Sequence, residues 1–173
     1  MYITLNILEN IMKLIKTFLL TALLTSGSIA NAQCSFKGKL NPEQTTAAQK
    51  IYHTAKYYDL GVTAIAVAYQ ESHLGRWKTR HVTAYDRSYG YFHNLYYYAT
   101  KGMTKVEKEQ WIDRMINDDD YSIWQGIQAL RYWKKHSKSY NQMLARFNGG
   151  WKGNQKYADK VKSLVVQVQK CKW

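Results

Sequence analysis

Apolar residues in this chain recur at helical spacing, in blocks separated by short polar stretches. Over residues 42–61, Ala48, Ile51, Tyr52, Ala55 and Tyr58 share one face, with Pro42 suited to a first helical position and Gly61 to a stop. The next block, about 62–72, is apolar around most of its circumference, which predicts a buried central helix. Periodicity alone also admits a strand there, but Ala64, Ala66 and Ala68 favour helix. Residues 76–103 lose the helical period and read as a long loop or small hairpin region, a length that in a compact domain usually serves function. Thr104 with Glu107 forms a capping box ahead of a helix through Trp111, Ile112, Met115 and Ile116. A further helix opens on Asp118, Asp119 and Asp120 and carries Ile123, Ile127 and Leu130 on one face. A shorter one ends at Asn148-Gly149-Gly150, and a last one covers the C-terminal stretch from about 154. The expected class is mainly α, as one domain over residues 33–173 with no repeat and no low-complexity segment.

The central helix ends unusually. In GVTAIAVAYQESHLG (residues 61–75) the apolar run stops at Glu71, with Ser72, His73 and Gly75 behind it. A carboxylate at the edge of a core is costly and usually has a use. Apolar neighbours and the negative end of the helix dipole disfavour its charged form, while Arg76 or Lys78 would oppose both. A carboxyl that keeps its proton beside a groove is what glycosidic cleavage requires, because the leaving oxygen is protonated as the bond breaks. The plainer alternative is a solvated last turn of a core helix.

Composition changes the picture in two ways. The 173 residues carry 25 Lys and Arg against 12 acidic residues, a formal charge of +13, which favours anionic partners without choosing among them. The basic residues are dispersed over many helices, as on a solvated positive surface. From Met12 the chain reads as a secretory leader: Lys13 and Lys16, an apolar run over 18–24, then small residues ending in Ala30-Asn31-Ala32. Cleavage is expected after Ala32, residues 1–32 forming the signal peptide, and residues 1–11 add nothing to it, so that a start at Met12 would suffice. The apolar run falls short of the roughly 20 residues of a membrane span, so membrane attachment would come only through an uncleaved leader. The expected location is periplasmic or extracellular. In such an oxidising compartment Cys34 and Cys171 can join, closing nearly the whole mature chain. No H-E-x-x-H and no i, i+4 histidine pair occurs, so no metal or other cofactor is expected, and the three consecutive aspartates suit a helix start.

Four segments then fall in order: ESHLG (71–75), SYGYFHN (88–94), LARFNGGW (144–151) and KYADKV (156–161). In order and spacing they resemble the signature segments of the SLT-type lytic transglycosylases, relatives of goose-type lysozyme, whose patterns run approximately E-S-x-x-G, S-x-G-x-x-Q, and A-x-N-x-G followed by a tyrosine. The resemblance covers about residues 45–168, and each segment alone is weak. It implies a lysozyme-like helical domain. It makes Glu71 the sole catalytic carboxylate and Tyr157 the tyrosine that orients it. It places Ser72 near substrate, Ser88, Gly90 and Tyr91 along the sugar groove, and Phe147 and Asn148 in the third segment that orders it. Two departures stand out: His93 occupies the usual glutamine position and would make an altered sugar contact, and Phe147 replaces a common tyrosine.

The implied reaction uses one carboxyl twice on the bond between N-acetylmuramic acid and N-acetylglucosamine. Glu71 protonates the glycosidic oxygen, the acetamido group steadies the positive ring, and Glu71 then takes the proton of the C6 hydroxyl as a 1,6-anhydro ring closes. A hydrolytic lysozyme would instead need a positioned water or a second carboxylate, for which Asp86 is the nearby candidate. A peptidoglycan-binding protein without activity is the non-enzymatic alternative; a cationic membrane or nucleic-acid binder is a third, and export argues against nucleic acid. Expected partners are peptidoglycan glycan strands, within a secretion or conjugation channel, wall remodelling, or a phage assembly.

Overall fold

The computed structural model describes residues 34–83 and 86–173, and the expected leader lies outside them. Seven α-helices and one small sheet make up the described chain. Helix α1 (Pro42–Ala55) starts from a complete capping box, in which Asn41 Oδ1 accepts from the Gln44 amide at 2.8 Å and Gln44 Oε1 from the Asn41 amide at 3.0 Å. It stops at Ala55, not at Gly61. A 3-10 turn over Lys56–Tyr58 and a left-handed Asp59 reverse the chain, and Gly61 is the first residue of α2 (Gly61–Ser72). The correction has a steric reason: a Cβ on Gly61 would stand 2.7 Å from the Tyr52 ring, so the glycine serves close packing at a helix start.

α2 is the predicted central helix, with Ala64 to Ala68 all buried, and it packs against α1 on one side and the C-terminal helix on the other. Residues 76–103 resolve into an antiparallel sheet β1 (Thr79–His81), β2 (Arg87–Tyr89) and β3 (Asn94–Leu95), followed by one helical turn, α3 (Tyr96–Ala99). Thr79 pairs with Tyr89 and His81 with Arg87, while Tyr89 pairs with Asn94. Helices α4 (Lys105–Asn117), α5 (Asp119–Lys135), α6 (Tyr140–Gly149) and α7 (Gln155–Val168) follow in succession, each packed on the next. The expected caps are present: Thr104 with Glu107 opens α4, and Asp118 Oδ1 accepts from the Tyr121 amide to open α5. Gly150, at φ 60°, ends α6.

The main core joins α1, α2, α5, α6 and α7 through Ile51, Ile65, Val67, Ile127, Leu130, Leu144 and Val161. A second, smaller cluster of Tyr89, Trp111 and Met115 seats β2 on α4. The sheet segment is held to α5 by that helix's small residues. A Cβ on Gly126 would lie 2.0 Å from the Phe92 ring, and Ser122 Oγ accepts from the Tyr91 amide at 3.1 Å.

The first and last described residues are clasped together. Cys34 and Cys171 form the expected disulfide across 137 residues, with Cα atoms 5.0 Å apart. Phe36 is buried between Tyr69 and Trp173, and Lys37 lies over the Trp173 ring while donating to the Lys172 carbonyl. Such a bridge suits an oxidising compartment. No helix among the described residues is long and apolar enough to cross a membrane. Replacing both cysteines by serine should lower the free energy of unfolding by about 2–4 kcal/mol. Urea titration checks this, and an unchanged midpoint would mean that the aromatic clasp alone holds the ends.

Candidate functional site

Glu71 occupies the last turn of α2, one residue before its end. The exit is sharp: His73, Leu74 and Gly75 take φ of 51°, 57° and 88° in succession. Glycine is required at the third, where a Cβ would meet the Tyr91 ring at 2.4 Å. Ser72 organises this turn. Its hydroxyl is fully buried, donates to the carbonyls of Tyr91 at 2.7 Å and Ala68 at 3.2 Å, and accepts from the Gly75 amide at 2.9 Å. Gln44 of α1 adds a bond to the His73 carbonyl at 2.9 Å, satisfying an acceptor at the end of the helix. Ser72 was expected near substrate; its hydrogen bonds are turned inward, and it acts as the clasp that brings the sheet segment to Glu71.

The carboxyl is nearly enclosed, its side chain 9% exposed. Oε2 lies 3.5 Å from Nδ1 of His93, whose side chain is 8% exposed. His93 in turn places Nε2 2.8 Å from the Trp77 carbonyl and takes the left-handed region at φ 47°. Oε1 is buried with no partner in hydrogen-bond geometry, and so is the Tyr157 hydroxyl. Tyr157 lies beside the Glu71 carboxyl, near enough to interact with it. Burial, and then the adjacent Glu71 carboxylate, push the Tyr157 hydroxyl well above the ordinary tyrosine range.

Tyr157 reaches this place from the first turn of α7. Asn154 caps that helix, accepting from the Tyr157 amide at 3.1 Å, and its Nδ2 donates to Asn148 Oδ1 at 2.8 Å. Gly149 permits the approach, since a Cβ there would stand 2.7 Å from the Asn154 amide nitrogen. Phe147 stacks on Tyr157 with ring centroids 6.4 Å apart. The third and fourth sequence segments are therefore joined through Asn154, while Asn148 itself is exposed.

The second segment is largely buried. Ser88 and Tyr91 are buried, and Gly90 (φ 83°) sits so tightly that a Cβ would meet Ser122 Oγ at 2.3 Å. Tyr91 is raised above the ordinary tyrosine range by burial first and by the Asp119 carboxylate second. Its outer end, His93 and Asn94, is what this segment offers to the carboxyl side. Asp86 is placed in the β1–β2 connection and pairs with Arg80 at 3.4 Å. Lys78 is committed to Asp119 at 2.6 Å and to the Ile116 carbonyl.

Trp77 escaped the sequence reading. It is 50% exposed and adjoins His73 at 4.4 Å between ring centroids; His73 in turn adjoins Tyr69 at 4.9 Å. Burial and then Arg76 hold His73 below the ordinary histidine range. The signal was present in the chain as an aromatic residue six positions after Glu71, outside any quoted segment. Ser122 and Gly126 were equally unmarked, because small residues on a helix show their use only once their neighbour is known. Among the described residues no group of three or more His, Cys, Asp or Glu is placed to hold a metal. Two surface cavities, of about 350 and 310 Å³, are lined by other residues, the first by Arg146, Trp151 and Gln155 among them and the second by Tyr58 and Arg131.

Comparison with protein-family models, curated proteins and solved structures finds no match.

Two outcomes test this geometry. Ser72→Ala removes a buried hydroxyl and its bonds to the Tyr91 carbonyl and the Gly75 amide, so it should cost about 1–3 kcal/mol in urea unfolding. Tyr157 favours its neutral form in the fold, so its contribution is present below the unfolded tyrosine value of about 10 and lost as pH rises toward the raised folded value. Wild type should therefore lose more stability than Tyr157→Phe between about pH 8 and pH 11, measured by urea unfolding; equal losses would show that Tyr157 is not held neutral by the fold.

Proposed function

We propose that the protein is an exported peptidoglycan lytic transglycosylase of lysozyme-like fold, with Glu71 as acid and then base. The observation that carries this reading is the carboxyl itself: nearly enclosed, at the end of a buried helix, with Oε1 unpartnered and Tyr157 and His93 on its two sides. An unsatisfied buried acceptor costs about 1–3 kcal/mol, and such a cost is tolerated where the group has work to do.

A second observation supports a polar ligand. Among the described residues five buried side-chain polar atoms have no hydrogen-bond partner. Four of them, Glu71 Oε1, Ser88 Oγ, Asn94 Nδ2 and Tyr157 Oη, belong to the segments that resemble the transglycosylase signatures. A hydroxyl-rich substrate can supply partners to such atoms. The half-exposed Trp77 beside His73 gives an apolar face of the kind on which sugar rings stack. The basic surplus favours approach to an anionic wall.

In the proposed reaction Glu71 gives its proton to the oxygen between N-acetylmuramic acid and N-acetylglucosamine. The substrate's acetamido group stabilises the ring as the bond breaks, and the carboxylate then takes the C6 hydroxyl proton, so that no water is consumed. Tyr157 acts by limiting how the carboxyl can turn, since a proton delivered off line is delivered slowly.

Glu71→Gln should abolish release of soluble muropeptides from purified cell walls while leaving the fold intact. Mass analysis of the wild-type digest should show 1,6-anhydromuramic ends. Reducing ends would make the enzyme a hydrolase, and undiminished release by Glu71→Gln would remove this carboxyl from the mechanism.

A further inference from the structure

Resting on that reading, the geometry around Glu71 assigns a role to the residue that departs from the family pattern. The Trp77 carbonyl can only accept a hydrogen bond, so at 2.8 Å it requires the proton on Nε2 of His93. In the neutral ring Nδ1 then carries a lone pair, and it is Nδ1 that faces Glu71 Oε2 at 3.5 Å. A lone pair set against an ionised carboxylate is unfavourable. One proton between the two relieves it, either on Oε2 as a neutral pair or on Nδ1 as an ion pair. Both side chains are more than nine-tenths enclosed, so water screens the contact poorly. The ring is held by the three residues before it: Gly90 and Phe92 are seated against Ser122 and Gly126, and the Tyr91 carbonyl is tied to Ser72.

We propose that His93 is a positioning residue that shares one proton with Glu71, so that the carboxyl's working proton belongs to the pair and not to the glutamate alone. The glutamine usual at this position in the resembling family can donate or accept a hydrogen bond but cannot store a proton. In the transglycosylation cycle the count closes. The pair gives up its one proton to the leaving oxygen and regains one from the C6 hydroxyl, while Nε2–H stays on the Trp77 carbonyl throughout. The other titratable or charged groups nearby are Tyr157 from α7, His73 at the end of α2 and Arg76 in the exit turn. Tyr157 is held neutral, and Lys78, next along the chain, is neutralised by Asp119.

The test does not depend on activity. Nitrogen-15 NMR of the histidine rings follows the protonation of His93 in wild type and in the isosteric Glu71→Gln. Losing the carboxylate removes the charge that favours the imidazolium, so the His93 midpoint should be lower in the variant than in wild type. An unmoved midpoint overturns the proposal. In wall digestion, His93→Gln should shift the alkaline limb of the pH profile to lower pH, because glutamine holds no proton in reserve. An unshifted limb would likewise overturn it, whereas a general loss of fold would appear in the thermal melt. If the midpoint falls and wild type releases no muropeptides, the shared proton stands and the transglycosylase reading fails.

Discussion

The hydroxyl of Ser72 is the constraint on which the site depends. A helix ending in mid-core leaves carbonyls without partners and a chain that must turn at once. Ser72 answers both needs with one oxygen, bonding back to Ala68, forward to Gly75 and across to Tyr91. The bond to Tyr91 acts with the Gly90 amide bond to the Lys78 carbonyl, at 2.8 Å, to hold the sheet segment at the end of α2. His93 reaches Glu71 because its segment is pinned two residues earlier to the residue that follows the carboxyl in sequence.

Around that clasp the protein separates satisfied from unsatisfied polarity. Five of the seven described helix starts are capped by side chains, at Asn41, Thr104, Asp118, Ser139 and Asn154, while α2 and α3 have none. Lys78 is doubly bonded, and the ends of the described chain are closed by a disulfide and an aromatic clamp. Against this background, four of the five buried side-chain polar atoms without a partner among the described residues belong to Glu71, Ser88, Asn94 and Tyr157, and the fifth to Ser137.

Much of the fold could be read from periodicity and caps. The buried helix ending at Glu71, the Thr104–Glu107 box, the aspartate start of α5 and the Gly149-Gly150 stop are local matters of side-chain spacing and backbone freedom. Gly61 was misread as a stop because a glycine between two apolar blocks signals a break without saying on which side it belongs. Only Tyr52, packed against it, decides that it begins α2. The segment 76–103 showed no helical period, and its strands are two or three residues long, too short to display alternation. Ser72, expected near substrate, and Ser88 and Tyr91, expected along a groove, all have buried side chains, which a linear pattern does not reveal.

Sequence alone thus determined the mainly helical class, the place of the acidic residue at the end of an apolar run, and the pair of cysteines available to close the chain, because each follows from neighbours a few residues apart or from composition. The resemblance implied Tyr157 beside Glu71, but the physical contacts around the carboxyl, that of His93 above all, are made by tertiary structure. Tyr157 lies 86 positions away and His93 22, and no local pattern encodes a contact across that separation. Such contacts are set by how Ser122 and Gly126 admit the sheet segment and how Asn154 starts the last helix, that is, by packing between elements.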